Sequence, residues 1–404
     1  MLAGLLGSRA LGSIGVMLFG LNGIRGVALK DWLKLRWWLF GLGWLGLFLL
    51  SWLWSDNGQE WEVQCQAKMP FLVLTLGFSL LPRFSQRHIH AFTLILFGLM
   101  LCGCGWSLAH LIREPEVYVK GYGVSHLLPT PAYNDHIAFS TLIAFCVAWG
   151  IYQLPRWRGI LRWAGLLVLL FFAAYLHILA AKTGLLTLYV FVLAYLALLL
   201  VRGYWKQVLP ALAGCALLVG LAYAAIPTFR TRIGYMAYAA NEYRAGNRTG
   251  DYGDIGRLIS YKVSGQIIAA QPLLGVGAGD MLAAMKQGYG QYYPQVADKD
   301  QLLPHNDFLV LALGAGIPCA LLFIIWILMP LIRLRRWGID AIFVPVWLML
   351  LVPLMVDTFT EVQWGVLVYL LPFLWMMKVA RGNFESRISN SESQEPVIPG
   401  ELLE

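Results

Sequence analysis

The sequence predicts an all-α, polytopic bundle of transmembrane helices, and three observations carry that reading. Of 404 residues, 59% are hydrophobic and 13% charged, with a mean hydropathy of +0.65, a balance that ordinary soluble domains do not show. The apolar residues come in long unbroken runs, each near the roughly 20 residues that cross a hydrocarbon core, whereas a closed barrel would show short alternating segments. Basic residues gather in every second connection between the runs, as the positive-inside rule requires of a chain threaded repeatedly through one membrane.

In chain order, spans are expected near 37–54, 69–82, 90–112, 133–153, 160–181, 184–201, 207–226, 306–331, 340–357 and 362–379. The run at 69–82 is short and can borrow residues from Gln64 onward. An earlier apolar segment, about residues 2–28, can span, form a short hairpin or lie in the interface, which makes ten to twelve spans in all. Lys30, Lys34 and Arg36, then Arg83 and Arg87, then Arg156, Arg158 and Arg162, then Arg202 and Lys206, then Arg333, Arg335 and Arg336 mark the inner connections. Asp56, Glu60 and Glu62, then Glu114 and Glu116, then the Lys182 turn, the long loop, and Asp357 with Glu361 mark the outer ones. Lys378, Arg381 and Arg387 return the C-terminus to the cytoplasm. The integral domain covers 1–384, and the Ser-, Glu- and Pro-rich tail 385–404 has too little apolar surface to fold alone, so disorder is expected there.

The formal charge of +8 is accounted for by this topology and implies no nucleic-acid partner. Cys102, Cys104, Cys146, Cys215 and Cys319 fall inside apolar runs and only Cys65 faces out, so neither a disulfide framework nor a metal knuckle is implied. No 20–50-residue period marks a solenoid. A flippase or transporter would show paired broken helices in two related halves and ionisable residues at mid-span, and neither is legible.

Chemistry is therefore sought in residues 227–305, the one long hydrophilic stretch between spans. Its first part carries Arg230, Arg232, Arg244 and Arg248 with Tyr235, Tyr238, Tyr243 and Tyr252. Arginine offers a planar fork to phosphate oxygens, and tyrosine stacks on a sugar face while donating a hydrogen bond. A solvated basic loop against lipid headgroups would have the same composition. From Ile255 to Gln271, Leu258, Ile259, Val263, Ile267 and Ile268 recur at helical spacing, which predicts an amphipathic helix at the bilayer surface. Pro272 stops it, and Gly275-Val276-Gly277-Ala278-Gly279 follows. With no preceding strand and no βαβ unit this is no dinucleotide loop; a tight turn approaching another element or a ligand is expected. Asp298-Lys299-Asp300 has the spacing of a metal-binding pair, but two exposed carboxylates without further oxygen ligands hold Mg²⁺ poorly. No metal or cofactor is expected.

The order of Arg257, Tyr261, Gly275, Gly277, His305, Asn306 and Leu309 resembles the core pattern of the O-antigen ligase and polymerase superfamily. In that pattern an arginine lies four residues before an aromatic, a Pro-Leu-x-Gly-x-Gly turn follows, and His-Asn-x-x-Leu opens the next helix. The likeness spans about residues 255–316, with Gly314-Ala315-Gly316-Ile317 as its small-residue run, and Trp54-Ser55-Asp56 and Asn134 as weaker echoes. Two positions depart from the pattern. Ala181-Lys182-Thr183-Gly184 stands where Ser-Arg-Gly or Ser-Arg-Thr is usual, and Tyr261 where tryptophan is common.

The resemblance implies a metal-independent, inverting glycosyltransferase that moves a glycan from undecaprenyl diphosphate to an acceptor hydroxyl at the periplasmic face of the bacterial inner membrane. A lipid A–core acceptor fits better than a second lipid-linked glycan, because polymerases tend to have two sizeable external loops and only one is long here. On this reading His305 is the base, since imidazole titrates near neutral pH. Arg257 and Lys182 clamp the diphosphate, with Arg248 and Arg244 as further cations. Tyr261, Asn306, Gly275, Gly277 and His136 are expected to help bind substrate, although His136 and His177 also read as satisfied structural histidines and Lys182 as a snorkelling lysine. Asp357 and Glu361, on the last outer turn, are placed to orient His305 or a lysine. The expected partners are the lipid-linked donor, the acceptor and membrane lipids, with the chain acting as a monomer.

Overall fold

The computed structural model describes residues 1–2, 4–24, 36–81, 84–124, 126–131, 135–246, 253–334 and 339–392; Arg248, Asn134, Lys30, Lys34, Arg83, Arg335 and Arg336 lie outside the described residues. Among the described residues there is no strand, and sixteen α-helices follow one another: α1 (Gly4–Gly7), α2 (Arg9–Ile24), α3 (Arg36–Leu50), α4 (Gly58–Leu80), α5 (Gln86–Arg113), α6 (Pro115–Gly121), α7 (His136–Gln153), α8 (Ile160–Leu179), α9 (Lys182–Val201), α10 (Trp205–Ala225), α11 (Pro227–Arg244), α12 (Gly253–Ala270), α13 (Met281–Tyr292), α14 (Asp307–Ile332), α15 (Phe343–Val356) and α16 (Gln363–Glu392). Seven of them, α5, α7, α8, α9, α10, α14 and the Gln363–Ala380 part of α16, are long and apolar enough to cross a membrane. Three shorter apolar helices, Ala10–Asn22, Gly43–Trp54 and Phe343–Val356, fall in other expected spans.

Boundaries differ from expectation in three places. Helix α4 begins eleven residues before 69, at Gly58, because Asn57 caps it by accepting a hydrogen bond from the Glu60 amide, with Glu60 in the first turn where the helix dipole favours an acid. Helix α16 continues to Glu392, past the start of the tail expected to be disordered. Helix α12 matches the predicted periodicity, but its apolar residues Ile255, Ile259, Val263 and Ile268 are buried and the helix packs on α13 and α14. That part of its apolar stripe faces protein and not the bilayer surface, while Leu258 is exposed.

Helix α7 is apolar all round and is buried along almost its whole length, as such a helix must be. Its Trp149 lies against Phe92 and Trp375, whose rings stack at 3.7 Å. Trp44 of α3 meets Phe71 of α4 at 5.1 Å and Phe323 of α14 at 5.0 Å, edge to face. Lipid tails are as apolar as these side chains, so close packing, at about 0.5–1.5 kcal/mol per aromatic pair beyond area, holds the helices together.

The bundle separates its polar groups by end. Arg202, capping α9, bonds Asp340 ahead of α15 at 3.1 Å, and Lys378 donates to the Leu81 carbonyl at 2.5 Å. One helix of 20 residues rises about 30 Å, so Lys182, at the other terminus of α9, lies at the opposite end of the bundle.

Candidate active site

The turn that presents Lys182 is tightly specified. Helix α8 ends on Ala180 in the left-handed region (φ 43°), the usual way to close a helix but costly for a residue with a Cβ. The carbonyls left over at that end are occupied: Tyr122 Oη donates to Leu179 O at 2.8 Å, and Thr228 Oγ1 to Ile178 O at 2.8 Å. Ala181 is extended and α9 starts at Lys182. The Lys182 ammonium donates to Asp254 Oδ2 at 2.5 Å and lies 5.8 Å from the Tyr235 ring centroid. The Arg232 guanidinium sits 5.2 Å from that same ring. Burial pulls Arg232 below the ordinary arginine value, Tyr235 and Asp254 act against this, and Arg257 adds to it. Arg257 also acts electrostatically on Lys182. Lys182 of α9 and Arg232 of α11 thus gather by the Asp254 carboxylate, and Arg257 of α12 acts electrostatically on both cations.

One turn beyond Arg257 on α12, Tyr261 joins this cluster to the histidine. Its hydroxyl donates to the His305 carbonyl at 2.5 Å and to the Met355 carbonyl at 3.1 Å. Burial raises the Tyr261 pKa; Arg257 opposes the rise and Asp357 adds to it. His305 Nδ1 lies 2.9 Å from Asp357 Oδ1, with both side chains partly exposed. With Nδ1 directed at the carboxylate, Nε2 has no hydrogen-bond partner among the described residues. A neutral imidazole that gives its proton to a carboxylate through Nδ1 presents a lone pair at Nε2. The pair is thereby set to accept a proton.

Asn306 caps α14, its Oδ1 accepting from the Phe308 and Leu309 amides at 3.0 and 3.1 Å, while Nδ2 donates to Met355 O at 3.0 Å. Both ends of its amide are thus occupied by protein, and the same holds for the glycine turn. Pro318 lacks the N–H that would bond Gly314 O, and α14 breaks at Ala315 and Gly316 (φ 84°), as proline inside a helix requires. The freed groups are taken one by one: Val276 N donates to Leu313 O at 2.8 Å, Gly277 N to Gly314 O at 3.1 Å, and Ile317 N to Pro272 O at 2.8 Å. Each would cost about 1–3 kcal/mol if left buried and unpaired. Gly275 (φ 68°) and Gly277 (φ 95°) permit this approach. The far side of the turn receives the 51–57 segment, where the Asp56 and Asn57 amides donate to Asp280 at 2.7 and 3.2 Å. Asn306, Gly275 and Gly277, expected to help bind substrate, thus have protein partners in the structure, and a broken helix exists that the sequence did not disclose.

Arg244 is exposed at the last turn of α11, about 18 Å along the helix from Arg232 at 1.5 Å per residue. His136 opens α7 with Nδ1 buried and unbonded, and Arg232 acts on it electrostatically. His177 is satisfied, with Nδ1 2.7 Å from Ala173 O and Nε2 2.9 Å from Tyr189 Oη. Among the described residues no three His, Cys, Asp or Glu side chains form a metal-ligand group. Asp254 and Lys68 are the groups that sequence reasoning passed over, and Arg232, named there among the loop arginines, was not singled out as a clamp. Lys68, one residue ahead of the span expected at 69–82, is fully buried and bonds Glu361 at 2.8 Å. An ionisable side chain so close to an apolar run is the signal that points to it.

None of the curated proteins matches this chain. A family model described as O-antigen ligase matches residues 167–324, a segment that holds Lys182, Arg232, Asp254, Arg257, Tyr261, His305 and the α14 break, while Asp357 and Lys68 lie outside it. Over that segment, less than half of the chain, the sequence is similar to the O-antigen ligase family.

Proposed function

We propose that this protein is a ligase-type glycosyltransferase, inverting and metal-independent, that moves a glycan from undecaprenyl diphosphate to a hydroxyl of a lipid A–core acceptor in lipopolysaccharide assembly. The observation that supports this best is α12 itself. Arg257, beside the Lys182 and Arg232 cations, and Tyr261, hydrogen-bonded to the His305 carbonyl, stand one turn apart on a single helix.

The acceptor oxygen attacks C1 of the donor sugar, and the C1–O bond to the diphosphate breaks with its electron pair passing to the departing oxygen. A single displacement inverts C1. The hydroxyl proton goes to His305 Nε2, and Asp357 at 2.9 Å steadies the imidazolium that results. The charge that develops on the diphosphate meets Lys182, Arg257 and Arg232, held in place before the reaction begins and so costing no reorganisation when it occurs. Lys182 keeps its bond to Asp254 and turns the remaining N–H donors of its ammonium to the diphosphate. The site faces the periplasm, the C-terminus faces the cytoplasm, and the chain works as a monomer surrounded by inner-membrane lipids.

The test is transfer by the purified protein from undecaprenyl diphosphate-linked glycan to lipid A–core, with chelator present and no nucleotide added. Glycosylated acceptor is the expected product. Chain growth from donor alone, without use of lipid A–core, would replace the ligase reading with a polymerase, and loss of activity on chelation would refute the metal-free mechanism.

A further inference from the structure

Asp357 is gripped on both sides of its position in the chain. Two residues before it, the Met355 carbonyl accepts from Tyr261 Oη and Asn306 Nδ2. Three residues after it, Thr360 gives both its amide (2.9 Å) and its hydroxyl (2.7 Å) to Asp307 Oδ1. Four residues after it, Glu361 Oε1 receives the Lys68 ammonium at 2.8 Å, with side-chain exposures of 0% and 8%. Lys68 also lies 4.4 Å from the Phe48 ring centroid and contacts Gln64 at 3.5 Å. Asp307 follows Asn306, so one short strip, 305–307, holds the histidine and contributes to two of the three grips, and α4 supplies the third.

A fully buried ion pair seldom adds net stability, because desolvation offsets most of the Coulomb attraction; its better-attested use is to fix which groups meet. Here the pair fixes the short connection between α15 and α16 that carries Asp357. We infer that Lys68 is a positioning residue for the His305–Asp357 pair: acting through Glu361, with Asp307 and Thr360 completing the brace, it holds the Asp357 carboxylate against Nδ1 so that Nε2 stays free to accept a proton. The geometric inference stands on these contacts alone, and its kinetic consequence rests on the proposed function.

The two are separated by reading the imidazole directly. In full-length protein labelled with ¹⁵N-histidine and held in detergent, His305→Asn identifies the His305 signals, and Asp357→Asn shows the ring without its carboxylate. The neutral His305 ring should carry its proton on Nδ1 in the wild type. Lys68→Met/Glu361→Met, which removes both charges together and leaves no buried ion unpaired, should move the ring toward the Asp357→Asn tautomer mixture while thermal unfolding stays near wild type. A folded double variant with the wild-type tautomer overturns the inference. If the double variant does not fold, Thr360→Val decides: it keeps the ion pair, and an unchanged tautomer in it also counts against the brace. With donor and acceptor, the double variant should lose about 10–100-fold in kcat, the scale of a small misplacement at a reacting centre, with KM for the donor unchanged; wild-type kcat overturns the inference. Wild-type protein that shows the tautomer pattern but transfers no glycan would sink the proposed function and leave the positioning role standing.

Discussion

At the scale of single residues, the proposed mechanism divides the site into a proton acceptor and a set of fixed cations, and the two halves should fail differently. His305→Ala should leave donor binding intact and lower turnover by roughly 10²–10⁴-fold, the contribution of a positioned general base. Wild-type turnover at saturating substrates would pass the role to His136 or an outer carboxylate. Lys182 is a point charge whereas arginine is a fork, so Lys182→Arg should keep much of the activity and Lys182→Ala should weaken donor binding, measured as a raised donor KM. Arg257→Ala and Arg232→Ala should behave like Lys182→Ala, while Arg244→Ala should not, since Arg244 is exposed far along α11 from the cluster. An equal effect from Arg244→Ala would mean that the cluster of Lys182, Arg232 and Arg257 is not the clamp.

At the scale of elements, the interrupted α14 is the part on which the rest of the site depends. Its N-terminus carries His305 and Asn306, and its break is sealed by the 272–277 turn. Gly275 has φ 68° and a side chain there would run into Leu313 O and Gly316 N. Gly275→Ala should therefore destabilise by at least about 1–2 kcal/mol from conformation alone, with the steric conflict adding to this. Thermal unfolding in detergent checks it, and an unchanged midpoint would mean that the turn is not held as described. Gly290, with open space around it, is the matched control. Part of this region is readable in advance. Helix α12 follows from its 3.6-residue period, whereas Asn306, read in the sequence as a substrate ligand, is found to cap α14. The partner of the glycine turn is not readable, because nothing local says that Pro318 frees carbonyls for residues some 40 positions earlier in the chain.

At the scale of the whole molecule, one end of the bundle holds Arg202, Asp340 and Lys378 and the other holds Lys182, His305 and Asp357. In the proposed topology the first end faces the cytoplasm. In a background lacking the six native cysteines, a membrane-impermeant thiol reagent applied to spheroplasts should modify a cysteine at Lys286 and spare one at Arg158, both exposed positions. The opposite pattern would turn the site to the cytoplasm and remove the periplasmic reaction with it.

The sequence by itself determined the all-α membrane class and the sites of most spans, and it pointed to His305, Arg257 and Lys182 as candidate groups and to Asp357 and Glu361 as acids placed to meet His305 or a lysine. These are readable because hydropathy, helical period and capping are properties of neighbours in the chain. Only the tertiary structure decided that Arg232 rather than Arg244 lies near Lys182, that one face of α12 packs on α13 and α14, and that Glu361 meets Lys68 while Asp357 meets His305. Lys182 and Asp254 are 72 residues apart, and Lys68 and Glu361 are 293 apart. Partners at such separations are selected by how helices pack, and packing among uniformly apolar surfaces leaves almost no trace in composition.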